Sequence, residues 1–281
     1  MTDSFDRRHY YHAEAHVLSG ELRTPLNRDI KPQSFVKLSD GGGYESKLER
    51  DFHLEAAISF ESAHTQVAGY PASWPCDGWA TLTTAEIVGL NFLDVIKADR
   101  VVGQMRTIYP AVGYVPIVSF VGTHFDNLRI GGHPVKLDLD LGLFGDKPVD
   151  DLFYTQEPLF VRRVIKQYER IAACGNLPVE LDGRYNQIPS SFVDGETVEC
   201  SLVNQAEGSY PGRTFGHIIH IPHFGIVTLA KLRVMERDFE PETEIPRNTQ
   251  ISLTMIDVEL NCTGDGRVRH CEMIAGGHTK P

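Results

Sequence analysis

The sequence predicts an all-β fold, a β-sandwich or distorted barrel, carrying one amphipathic helix near residues 157–173. Three observations lead there. β-Branched and aromatic residues concentrate between Gly78 and Gly145 in runs broken by Gly and Pro, the composition of strands joined by turns. A late stretch, TQISLTMIDVELNC followed by TGDG and RVRHCEM, reads as a terminal hairpin. Only one segment keeps its apolar residues at helical spacing: Phe160, Val161, Val164, Ile165, Tyr168, Ile171 and Ala172. Pro158 suits the first turn of that helix, and Gly175 suits the position just past its end.

No repeat, low-complexity tract or linker divides the chain. The expectation is one β-rich domain over residues 9–275, with a helical insertion at 146–176. Residues 1–8 are polar and expected to fray. In HYYHAEAHVLSGEL, Tyr10, His12, Glu14 and His16 fall on one strand face. Tyr11, Ala13, Ala15 and Val17 fall on the other, which should pack inward. FHLEAAISFESAHTQVAGY gives two short strands or one bent one, and YPASWPCDGW a rigid loop. Lys97–Arg100 is polar enough for a turn, and VPIVSFVG reads as a central strand covered on both faces. Val135, Leu137, Leu139 and Leu141 alternate with Lys136, Asp138 and Asp140, the pattern of a half-exposed strand. Pro222 marks an edge or bulge within GHIIHIPHFGIVTL, since it cannot donate to a ladder, and such an edge could mediate self-association. AGGHTKP reads as a loose tail.

Twenty-seven Lys and Arg against 38 Asp and Glu give a formal charge of -11, which disfavours nucleic acid and anionic membrane as partners. No apolar run is long enough to span a bilayer, and none follows Met1 as a secretory leader would. Five Cys without a CxxC fit a reducing cytoplasm, with a bridge between Cys262 and Cys271 as the one pairing to consider.

No HExxH, Walker loop, GxGxxG or GxSxG occurs, so no bound cofactor is expected from such devices. His12, Glu14 and His16 on one strand, with His217 and His223 on another, are the residue types from which β-scaffold enzymes assemble a divalent transition-metal shell. The plainer reading is strand histidines that are solvated or hydrogen-bonded. His124 with Asp126 reads as a turn, and Asp138/Asp140 and Asp257/Glu259 as solvated sheet faces. Trp74 and Trp79 either cap the core or form a ligand-binding rim, for a carbohydrate for example.

GLNFLDVIKADRVVGQM, THFDNLRIGGHPVKLDLDL and ISLTMIDVELNC resemble a group of uncharacterised bacterial β-rich proteins of no established activity. The shared features are a GLNVLDVVTADRVV run, an F-NLRI-G-PV hairpin and a late LTM-R-ELG strand, whose Arg and Gly this chain lacks. The resemblance covers about half the chain and implies a β architecture without implying a mechanism. The absence of catalytic signatures beside several strong strands makes a soluble, non-enzymatic binding or assembly module the leading expectation. A metal-dependent enzyme with a His/Glu shell is its rival, so the chain's status as an enzyme stays open.

Overall fold

The computed structural model describes residues 7–24, 26–185, 197–238, 247–261 and 264–280. In chain order the first strands are β1 (Arg8–Thr24), β2 (Arg28–Gln33), β3 (Val36–Lys37), β4 (Gly43–Leu54), β5 (Ile58–Ala72), β6 (Gly78–Phe92) and β7 (Ile96–Pro110). Five short pieces follow: β8 (Ile117–Ser119), β9 (His124–Asp126), β10 (Arg129–Ile130), β11 (His133–Pro134) and β12 (Lys136–Leu139). Two helices, α1 (Pro158–Ala173) and α2 (Val179–Tyr185), precede β13 (Thr197–Ser201), β14 (Val203–Glu207), β15 (Arg213–Phe215), β16 (Ile218–Ile221), β17 (Gly225–Arg237), β18 (Asn248–Leu260) and β19 (Asp265–Lys280).

These strands form a sandwich, not a closed barrel. One antiparallel sheet runs β15-β16-β17-β18-β19-β1-β2, with β13 on β17 and β3 on β1; the other runs β11-β10-β7-β6-β5-β4, with β8 and β9 on β7. β12 pairs with β14 apart from both. The long strands β1, β18 and β19 pack on β5, β6 and β7, and a shared core fills the space between. The inward face of β1 is the expected one: Tyr11, Ala13, Ala15 and Val17 are all buried.

One row interrupts the alternation of the larger sheet. Pairing stays in register across Ala230 (β17), Met255 (β18), Cys271 (β19) and Val17 (β1), but those residues form no ladder pairs. Ala230 and Cys271 have φ of 44° and 51°, a region that costs a residue with a side chain about 1–3 kcal/mol. The row shifts the inside-outside phase of each strand by one residue. Asp257 and Thr254 therefore both face outward, as do Arg269 and Glu272.

α1 begins and ends as its sequence dictates. Glu157 accepts a hydrogen bond from the Phe160 amide at 2.6 Å, Pro158 occupies the first turn and Gly175 takes φ 61° beyond the end. Its buried stripe of Phe160, Val164, Tyr168 and Ile171 lies against β13, where Gln167 brackets the Ser201 backbone.

Several expectations are corrected. The turn before β7 lies at Leu93–Asp94 (φ 52° and 55°), because the Asn91 side chain accepts from the Asp94 amide at 3.1 Å; Lys97–Arg100 continues the strand. VPIVSFVG contributes only β8, at the flank of β7. Val115, Val118 and Phe120 are buried, Phe120 because Phe144 packs on it and Phe160 packs on Phe144, whereas Val121 is exposed, so the strand is not covered on both faces. Pro222 sits in the turn joining β16 to β17, where Phe224 N–H bonds Ile221 O, and β15 covers the far side of β16; the strand before Pro222 is not an edge. The C-terminal segment is not loose but pairs with β1 as far as Lys280 opposite Arg8. A short second helix, α2, follows α1. Cys271 is a free buried thiol on the core side of β19. Cys262 lies outside the described residues.

Candidate functional site

Pairing of β1 with β19 brings the two described ends of the chain together, Arg8 opposite Lys280 and His9 opposite Thr279. From the facing sheet, β6 and β7 contribute Trp79 and Tyr109, themselves cross-strand partners. Where β1, β19 and Trp79 meet lies an open-mouthed cavity of about 670 Å³. A smaller one of about 200 Å³ adjoins it past Tyr10 and Tyr11 and reaches His12, Asp40, Gln250 and His278.

His9 is the centre of the larger cavity's wall. Its ring stacks on Trp79 (centroids 5.2 Å apart, planes at 10°), meets Tyr11 edge-on at 4.7 Å and tilts over Tyr109 at 4.9 Å. Two glycines make room for these rings. A Cβ on Gly277 would stand 2.8 Å from His9 Nε2, and one on Gly69 would stand 2.7 Å from Tyr11 Cδ1. Nδ1 of His9 lies 3.3 Å from Thr279 Oγ1, whereas Nε2 is buried without a hydrogen-bond partner among the described residues. Burial, helped by the nearby His278, lowers the His9 pKa to about 4, so its imidazole is neutral at pH 7.

The rim carries charge of one sign. Arg7 donates to Ala111 O at 3.2 Å and lies over Tyr114; Arg8 and Lys280 lie 5.2 and 5.9 Å from the centre of the Tyr10 ring. None of the described lining residues of the larger cavity is acidic. In a chain of net charge -11 the described residues at this end form a local positive mouth over an aromatic wall.

The proposed metal ligands do not converge. His12, Glu14 and His16 share the outward face of β1, but each has its own setting. His12 borders the smaller cavity, Glu14 pairs with Lys37 at 2.8 Å, and His16 Nε2 lies 2.8 Å from Ser19 Oγ and 3.3 Å from Glu272. His217 precedes β16, which is separated from β1 by β17, β18 and β19, four inter-strand steps or roughly 19 Å. It is buried beside Tyr185, and burial together with the charges of Lys231, Arg184 and Arg170 pushes its pKa down to about 3, a setting that repels a metal cation as it repels a proton. His223 occupies the hairpin turn at φ 62°. No group of three or more His, Cys, Asp or Glu among the described residues is placed to hold a metal ion.

The tryptophans separate too. Trp79 forms the cavity wall, while Trp74, 75% exposed, projects from the loop before β6. The residues sequence reasoning missed are His9, Tyr11, Arg7, Arg8 and Lys280. His9 belongs to the same inward alternation as Tyr11, Ala13 and Ala15, with Tyr11 opposite Gly277, whereas the other face of β1 carries more histidines.

A family model described as Domain of unknown function (DUF8256) matches residues 9–235. No curated protein and no solved structure matches the chain. No helix among the described residues is long and apolar enough to cross a membrane.

Proposed function

We propose that the chain, which belongs to this family, is a non-catalytic binding module whose terminal cavity takes an aromatic small molecule bearing an acidic group. One observation carries the reading: a cavity of about 670 Å³ with an aromatic wall and three cations at its rim, none of its described lining residues being acidic. The ligand's ring would lie against Trp79 and Tyr11, and its anion would meet Arg7, Arg8 or Lys280.

Calorimetric titration with anilinonaphthalene sulfonate, an aromatic sulfonate, tests this. One saturable site is expected. Trp79→Ala should weaken it about tenfold or more, the loss of an aromatic contact plus its buried area, and Trp74→Ala should leave it unchanged. Equal effects of the two substitutions, or no saturable binding, would overturn the reading.

A further inference from the structure

The phase shift across the larger sheet leaves a third cavity, about 240 Å³, on the outward face of β13, β17, β18 and β19 beneath α2. It lies astride the Ala230–Cys271 row, so outward side chains from both sides of the row converge on it: Lys231 and Thr254 from one, Asp257 and Arg269 from the other. On an unbroken strand, Thr254 and Asp257 would point to opposite faces.

Each carboxylate in this groove already faces a cation. Asp257, 2% exposed, is held by Arg267 through two bonds, the Nε bond measuring 2.9 Å. Glu272 faces His16 at 3.3 Å and Arg269 at 3.5 Å, and Glu199 faces Lys231 at 3.2 Å and Arg184 at 3.4 Å. Five Lys and Arg line the groove against three carboxylates, and Glu259 at its edge faces Arg267 at 3.2 Å, which leaves one positive charge in excess. Arg233 carries that excess. It is exposed, stands opposite Glu199 and Ser252 in the ladder, and makes no ion pair among the described residues, because Glu199 is turned toward Lys231 and Arg184.

We infer that this groove is a second binding site, distinct from the terminal cavity, for the phosphate group of a small molecule. Arg233 and Lys231 supply charge, and the hydroxyls of Ser252 and Thr254 supply neutral donors from the neighbouring strand. Donors arriving from two adjacent strands suit an oxyanion with several oxygens better than a single carboxylate.

The test is calorimetric titration of the full chain with inorganic phosphate at low ionic strength, where exposed charges are least screened. One saturable site is expected. Arg233→Ala should weaken it about tenfold to a hundredfold, the worth of one charge-assisted contact. Arg233→Lys should restore part of the affinity. Arg237→Ala, which removes an exposed arginine from the same strand outside the groove, and Trp79→Ala, which acts on the terminal cavity alone, should leave phosphate binding unchanged. Absence of saturable binding, or an Arg233→Ala protein that binds phosphate as the parent does, would overturn the inference.

Discussion

Lowering the pH from 7 to 4 is expected to unfold the protein, and three buried histidines set that loss. His9 and His270 are held near a pKa of about 4 and His217 near about 3, in each case chiefly by burial. The unfolded chain takes up the same protons near pH 6.5. Between these values the unfolded state binds more protons, so stability falls as the pH falls. By pH 4 each histidine costs roughly 3 kcal/mol, and the three together reach the total stability of an ordinary domain, about 5–15 kcal/mol. Glu272, lowered by His16 and Arg269 against its burial, adds to the loss at lower pH; Glu236, raised by burial, acts with the opposite sign. Urea midpoints measured from pH 7.5 to 4.5 check this. His270 lies in the core edge-on to Phe92, so His270→Leu should remove one proton from the pH slope, about 1.4 kcal/mol per pH unit below pH 6. A midpoint independent of pH between 7 and 5 would contradict the argument.

Removing the Glu236 carboxylate is the second large effect. Glu236 sits on the inward side of β17, almost fully buried. Its oxygens accept from the amides of Tyr154 (3.2 Å) and Thr155 (2.8 Å), which open a 3₁₀ turn over Tyr154–Gln156, and from the hydroxyl of its cross-strand neighbour Thr249 (3.2 Å). The Thr249 carbonyl in turn accepts from Tyr109 Oη at 2.7 Å, linking the two sheets. One carboxylate thus anchors the segment leading into α1 to the sandwich. Glu236→Ala would strand two buried amide donors, each worth about 1–3 kcal/mol, for a loss of roughly 3–5 kcal/mol. Glu236→Gln, which keeps an acceptor but turns an NH₂ toward a donor, should fall between. Urea unfolding that places Glu236→Ala within 0.5 kcal/mol of the parent would show that the turn finds other acceptors.

The sandwich was legible wherever period-2 alternation survives, as in Tyr11, Ala13, Ala15 and Val17, and α1 was legible from its 3.6-residue stripe and its Pro and Gly punctuation. What escaped depends on distant partners. Within VPIVSFVG, Phe120 is buried by Phe144, and a short window cannot distinguish that from burial in a sheet centre. The bend at Ala230 and Cys271 is invisible because neither residue announces a positive φ as Gly or Asn would. AGGHTKP has the composition of a loose end, and its order comes entirely from β1, more than 250 residues away in sequence. Of the candidate site, Trp79 was legible as an aromatic beside a loop. His9, on the cavity wall, is not marked in the sequence, because strand phase alone does not say which face borders a cavity.

The terminal cavity as a ligand site is tested most directly by the fluorescence of Trp79 alone, in a Trp74→Phe protein, titrated with anilinonaphthalene sulfonate. The chain contains only two tryptophans, so the signal is then that of the cavity wall. Saturable quenching at one equivalent, weakened by Arg8→Ala/Lys280→Ala, is the predicted result. A Trp79 signal that stays unchanged while the dye binds elsewhere, or does not bind, would contradict it.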